Sequence, residues 1–446
     1  MEVVGGGTEE SHAAGAIVQS GDMKLLPVLL AAACVCPAQP LYELVLRGGR
    51  VIDPRNHIDG RRDVAVQGGK IAAVAASIDP SQAKKVVDVT GLVVTPGLVD
   101  IHVHAFHTTG AADAWAGDLS IAPDSFSFRE GVTTMADAGS AGWRNFETFR
   151  HTVIDRVRTR VYAFINIAGY GMMGNINEQV PADFQPEAVA RLARKHSDVV
   201  VGVKSAHYEK PDWTSVDRAV EAGTLANIPV MVDFGFFVKE RPYYELVGKH
   251  LRPGDISTHV YRGAVPWIDG EGRLYPYLLE ARRRGVKFDV GHGGGGFTFR
   301  NAIPAVRQGF YPDSISTDLH GKSMNAGMQD LPATMSKFLN MGMPLAEVIL
   351  RTTWLPAQMI HRAERGHLTV GADADITVLR LMEGEFGFAD SLNGSIQGKQ
   401  RLVAEMTILG GEVAWDLNAR TATPYEKLGP TYGVRPGMDV VVLPPK

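Results

Sequence analysis

Two histidines separated by one residue, His102 and His104, close the apolar run Val93-Val94-Thr95-Pro96-Gly97-Leu98-Val99-Asp100-Ile101. Side chains alternate faces along a β-strand, so both imidazoles point the same way. Two imidazoles on one face at a strand end can hold a metal ion. Ordinary core or surface histidines show the same spacing, so the pair needs partners from elsewhere in the chain. Cysteine cannot supply them, because Cys34 and Cys36 are the only two and flank one valine ahead of the globular region. A disulfide between them would be badly strained. The candidate ligands are therefore His, Asp, Glu and a modified Lys.

Ligands scattered along a chain must be gathered by regular elements. Eight apolar segments read as strands: 94–104, 132–138, 160–168, 199–205, 229–234, 255–261, 286–292 and 314–319. Helical patterns such as 186–195 and 215–226 lie between them. Eight strand–helix units are the number that closes a parallel barrel. An open doubly wound sheet fits less well, since no Gly-x-Gly-x-x-Gly follows the first strand. The two flanks are different in texture, with short alternating strands and Gly-Gly turns from Leu41 to Val89 and again from Asp375 to Ala414. The expected fold is thus α/β, a (β/α)8 TIM barrel over 94–366. A small β-sandwich is expected from both chain ends, 41–93 and 367–446.

Composition agrees with a large core: the chain has 446 residues, 45% hydrophobic and 21% charged. A formal net charge of −4 leaves no basic footprint, which argues against a nucleic-acid partner. Residues 1–40 read as a leader. The first 22 lack apolar periodicity and are expected to be disordered, with Met23 an alternative start. Lys24, the apolar run 25–35 and the small residues Cys36-Pro37-Ala38 resemble a signal peptide cut after Ala38. That run is too short to span a bilayer. Leu30-Ala31-Ala32-Ala33-Cys34 loosely resembles a lipoprotein box, which would put a lipid anchor on Cys34. A cleaved leader implies a periplasmic or secreted protein, and an uncleaved one a cytoplasmic protein.

Barrel chemistry lies at the C-terminal strand ends. Strand one ends in His102 and His104, strand four in Lys204 and strand five in Asp233. Strands six, seven and eight end in His259, His292 and Asp318. Seven His, Lys and Asp groups in one ring point to a metal centre.

Pro96-Gly97-Leu98-Val99-Asp100-Ile101-His102-Val103-His104 resembles the signature of the amidohydrolase superfamily, which includes dihydroorotase, D-aminoacylase and adenine deaminase. The likeness runs from Leu41 to about Pro424 and takes in Gly366-His367-Leu368-Thr369-Val370-Gly371-Ala372-Asp373-Ala374-Asp375. Gly202-Val203-Lys204, Phe288-Asp289-Val290-Gly291-His292-Gly293 and Ser316-Thr317-Asp318-Leu319-His320 are similar to the amidohydrolase/deacetylase branch. So is Asp330-Leu331-Pro332-Ala333-Thr334-Met335-Ser336-Lys337.

The resemblance implies two divalent ions, expected to be Zn2+. His102, His104 and Asp318 would hold the first. Lys204, carboxylated by CO2, would bridge both ions, which avoids facing an ammonium to two cations. His259 would hold the second. At strand five the family carries histidine and this chain carries Asp233. Either Asp233 ligates through oxygen or the second ion is weak or missing. The implied reaction is attack by a metal-bound hydroxide, formed because the metal lowers the water pKa to about 7. The target is the amide or ester bond of a small acylated acid, with Asp318 as the proton shuttle. His292, Gly293, Arg262 and Tyr170 are expected at the substrate, with Arg262 pairing a carboxylate. The loop residues His207 and Tyr261 are further specificity candidates. The Gly run 293–296 would let backbone approach the substrate. A cyclic amidase, a deaminase or a barrel with a defective metal site are the alternatives. A homo-oligomer is expected.

Overall fold

The computed structural model describes residues 40–442. The expected leader, signal peptide and Cys34 anchor lie outside the described residues. Two sheets organise the rest. Strands β1 (Tyr42–Asp53), β2 (Ile58–Gln67), β3 (Lys70–Ala75), β4 (Ala83–Asp88) and β5 (Val93–Pro96) come from the N-terminal flank. Strands β6 (Leu98–Val103), β7 (Val132–Gly142), β8 (Arg160–Asn166), β9 (Val200–Ser205), β10 (Val230–Asp233), β11 (Ile256–Thr258) and β12 (Lys287–Phe288) follow. The C-terminal flank adds β13 (Ile376–Ala389), β14 (Ser395–Leu409) and β15 (Glu412–Asp416).

The middle seven strands form one curled parallel sheet in sequence order, β6 to β12. Its strands are near-continuous apolar runs because both faces are covered. Val99, Ile101, Ala138, Phe164, Val201, Met231 and Ile256 pack together with Ala357, Met359 and Ile360 from the helix Trp354–Met359 and its end. A second, larger core sets strand residues such as Leu98, Met135, Ile165, Val203 and Val232 against helices Pro186–Lys195 and Thr214–Ala226. The segment 314–319 lies beside β12 and β6. Ser314 bridges Asp289, and Leu319 bridges Val103, both in parallel sense. His104 N–H donates to the Leu319 carbonyl at 2.9 Å, and His292 N–H to the Ser316 carbonyl at 3.2 Å.

Both chain ends build the other sheet, in order β15-β14-β13-β5-β1-β2-β3 with β4 parallel on β1. This corrects the expected β-sandwich: a single mixed sheet stands there instead of two packed ones. It curls enough for Ile71 N–H to donate to the Ala372 carbonyl and Gly371 N–H to the Ile71 carbonyl, both ahead of β13. Leu46, Val64, Val94, Ile376, Val378 and Met406 fill its inside. The expected first strand, 94–104, is also split. Val93–Pro96 pairs with β13 and β1, while Leu98–Val103 opens the parallel sheet. Gly97 makes the switch, its N–H donating to the Asp375 carbonyl at 2.8 Å. A Cβ there would lie 2.2 Å from Thr133 Oγ1. Beyond Asp416 the described residues form no strand.

Candidate active site

At the C-terminal ends of the parallel strands a cavity of about 370 Å3 opens among His104, Lys204, Asp233, His259, Asp318 and His320, with His207 and Arg262 also on its wall. Each imidazole is aimed by what lies behind it. His259 Nδ1 faces the Gly291 carbonyl, which only accepts, so Nδ1 carries the proton and Nε2 presents a lone pair. Thr258 donates its hydroxyl to Asp289 at 2.7 Å and therefore accepts from His102 Nδ1 at 2.9 Å. His102 Nε2 is thus also a lone pair, 3.2 Å from Lys204 Nζ. His104 Nδ1 sits 2.9 Å from Ser140 Oγ.

Asp318 receives these rings. Its Oδ1 lies 3.1 Å from His104 Nε2 and 3.6 Å from His102 Nε2, and Oδ2 lies 3.8 Å from His320 Nε2. Burial alone would raise its pKa, but His320, His102 and His104 hold it well below the usual carboxylate range. Burial, with Lys204 beside it, pushes His102 down to about 3, so its ring is neutral. Lys204 is fully buried, and burial lowers its pKa against the pull of Asp233 and Asp318. Asp289, buried behind His102, stays low because His102, Ser314 and Thr258 bond it against the cost of burial.

Asp233 holds a second cluster. Its Oδ1 takes Arg262 Nη1 at 3.1 Å, and its Oδ2 faces His259 Nε2 at 3.2 Å and His207 Nε2 at 3.4 Å. His207 Nδ1 meets the buried Glu178 carboxylate at 2.8 Å. Burial opposes charge on His207, but the flanking Glu178 and Asp233 outweigh it and raise its pKa to about 10.

The donors fit a divalent ion. His102, His259 and Asp318 each offer a ligand atom, all within 4.8 Å of one another. Two lone pairs facing carboxylate oxygens, His259 toward Asp233 and His102 toward Asp318, need a proton or a cation between them. Acceptors behind each ring are the usual companions of metal-ligating histidine.

Of the residues expected at the site, His102, His104, Lys204, Asp233, His259 and Asp318 converge. Gly293 is brought beside Asp318, and a Cβ on it would lie 2.1 Å from Oδ2. Arg262 reaches the cavity wall, but its guanidinium is already bound to Asp233 and to the Phe234 carbonyl at 3.0 Å. Both contacts use Nη1. His292 departs from its expected place at the substrate: it is fully buried off the cavity, stacked on Phe297 and bonded to Lys337 Nζ at 2.7 Å. Burial and Lys337 hold its pKa well below the ordinary value. Tyr170 is exposed over Arg144, and its loop sends Met172 to the cavity instead. Tyr261 is fully buried in the core. Sequence reading missed Trp115, whose ring meets His320 at 4.2 Å, and Glu178 behind His207. His320 also lines the cavity, two residues past Asp318.

No protein-family model matches the chain. It is 34% identical over 363 residues to a deacetylase of Agrobacterium fabrum, covering 78% of this chain and 86% of that protein. A deacetylase of Brucella anthropi is likewise 34% identical over 369 residues, 80% of this chain and 88% of that one. Among solved structures an adenine deaminase aligns with TM-score 0.76 at 29% identity, covering 84% of this chain and all 100% of that one. A dihydroorotase aligns with TM-score 0.71 at 30% identity, over 83% and 98%. Sheet, site and relatives define a hydrolase of carbon–nitrogen bonds. The chain belongs to the amidohydrolase superfamily, whose fold implies a TIM barrel with an attached β domain.

Proposed function

We propose that the chain is a metal-dependent deacetylase or amidohydrolase that cleaves the amide or ester bond of a small acylated acid. The observation that carries this is the convergence of His102, His259 and Asp318 donor atoms within 4.8 Å, each histidine aimed from behind. The deacetylase relatives, which span most of the chain, supply the acyl class. The segment 314–319 is read as the eighth stave of a closed barrel, supported by its bridges to Asp289 and Val103.

His102, His104 and Asp318 would hold one divalent ion, Zn2+ by donor type, and His259 with Asp233 a second. Burial lowers the pKa of Lys204, which favours the amine form that CO2 carbamylation requires; with nitrogen bonded to the CO2 carbon and one N–H proton released, the side chain would be a carboxylate able to ligate a divalent ion. A divalent ion held by these residues would supply polarisation of an acyl carbonyl and a water that is nucleophilic near neutral pH.

Asp318 then does the proton work. Held ionised, it can accept the proton of the attacking water and return it to the leaving amine or alcohol. Gly293, with φ +51°, keeps space open beside that carboxylate.

The test is elemental analysis of the purified protein, followed by a screen of N-acylated amino acids and O-acylated hydroxy acids against hydantoins and purines. Bound divalent metal and turnover of an acylated acid are expected. Metal-free protein with full activity overturns the metal reading. Turnover confined to hydantoins or purines makes the chain a cyclic amidase or deaminase.

A further inference from the structure

Strand five lacks the histidine its family carries, yet a histidine stands next to the gap. We propose that His207 is a ligand of the second divalent ion, paired with Asp233. This rests on the reading of the site as a metal centre. His207 lies in the loop after β9, three residues beyond Lys204, and lines the cavity. Its Nδ1 meets Glu178 Oε2 at 2.8 Å. Glu178 is buried and takes a further hydrogen bond from Asn166 Nδ2 at 3.0 Å, so the carboxylate is fixed. A carboxylate accepts only, which places a proton on Nδ1 and turns Nε2 to Asp233. Carboxylate, histidine and metal in line is the arrangement that orients ligating imidazoles.

Distances agree. Two donors about 2.1 Å from a tetrahedral ion stand roughly 3.4 Å apart. Asp233 Oδ2 lies 3.4 Å from His207 Nε2 and 3.2 Å from His259 Nε2. Arg262 occupies the other oxygen, Oδ1, and so leaves Oδ2 for the ion while offsetting the charge that aspartate adds. The backbone gives an independent sign. His207 has φ +52°, beside +53° for His259 and +50° for Asp318. Left-handed residues other than glycine carry a conformational cost and cluster at functional sites. Three groups around one cavity share that conformation. On binding, the ion takes the Nε2 lone pair and any proton there leaves to solvent.

The alternative is a purely structural ion pair, with His207 linking Glu178 to Asp233. Metal content separates the two without any substrate. The full chain is saturated with Zn2+, freed of excess and analysed for metal per chain, and the dissociation of each ion is followed with a competing chelator. Two equivalents are expected for the wild type and one for His207→Gln. Glu178→Gln, which leaves the imidazole in place, should loosen only the second ion, by about 10- to 100-fold. That variant keeps the proposal falsifiable if His207→Gln does not fold. One equivalent in the wild type, or two of unchanged affinity in both variants, overturns the role of His207 alone. No bound metal in the wild type overturns the metal-centre reading and this proposal with it.

Discussion

Gly293→Ala probes how tightly the site is built around its proton-handling carboxylate. Gly293 has φ +51°, and a methyl there would lie 2.1 Å from Asp318 Oδ2, 3.1 Å from its Cγ and 3.3 Å from its Cβ. A left-handed alanine costs about 1–2 kcal/mol. The clash adds to this, because carbon and oxygen prefer roughly 3.5 Å and more than about 1 Å must be made up. Asp318 cannot swing away freely, since His104 and His102 hold one of its oxygens and His320 faces the other. The carboxylate is therefore displaced by a sizeable part of an ångström, and a misplacement of about 1 Å costs on the order of 100-fold in rate. Gly294→Ala is the matched control: its φ is not positive and no atom lies within 4 Å of the added carbon. The assay is kcat/KM on the acylated acid found by screening, with thermal unfolding alongside. Gly293→Ala is expected to lose about 100-fold in kcat/KM and a few degrees in Tm, and Gly294→Ala to keep its Tm. Wild-type kcat/KM in Gly293→Ala would show that Asp318 has room the structure denies it, and the argument for its exact placement would fall.

Asp318→Asn keeps the size of the side chain but cannot take a proton, so turnover should fall by about 100- to 10,000-fold; far-UV circular dichroism should be unchanged, and retained activity would remove Asp318 as the shuttle. Stripping the protein with a chelator should lower Tm, because a ligand of the native state at 1,000 times its Kd stabilises by about 4 kcal/mol; an unchanged Tm that ignores added Zn2+ refutes the metal centre. Lys337 is buried, and burial pushes its ammonium from 10.5 down to about 7 although Asp390 and Asp330 pull the other way. Between those values the unfolded chain holds a proton the folded one has released, so the lysine's contribution to stability rises with pH and is worst below 7. The stability of wild type minus Lys337→Met, from urea unfolding, should therefore grow by roughly 2 kcal/mol between pH 7 and pH 9, and a flat difference refutes it.

The parts of the fold that periodicity controls were legible. Strands β6 to β11 are almost fully buried and most carry apolar runs, and that leaves a plain signal in the sequence. The switch at Gly97 was not legible, since Val93 to Val103 reads as one run and the break comes from a hydrogen bond to Asp375, 278 residues on. Whether the flanking strands make one curled sheet or two packed ones was equally hidden. Alternation fixes which side chains share a face, but not whether the opposite face is closed by the same sheet, as Ile71 and Ala372 arrange here.

The site divides in the same way. His102, His104, Lys204 and His259 lie at or just past strand ends and Asp318 lies in the segment 314–319 beside β6, so their place in the chain order was readable from residue type. Loop residues have no such constraint. Tyr170 and Met172 sit two apart on one loop, and packing, not composition, sends Met172 inward. His292 lies four residues past β12 and is captured by Lys337 from the helix Leu331–Asn340, a lysine whose complete burial no pattern would suggest. Asp233, set against histidine at that strand end, left two readings open, a ligand through oxygen or a weak or missing second ion. With Arg262 on one oxygen and His207 and His259 on the other, it is the hub of the second cluster. A carboxylate at strand five needs a cation on its outer side and donors on its inner side. Here Arg262 stands on the outer oxygen and His207 and His259 face the inner one, so the proposed second site would draw its histidine from the loop after β9 instead of from strand five.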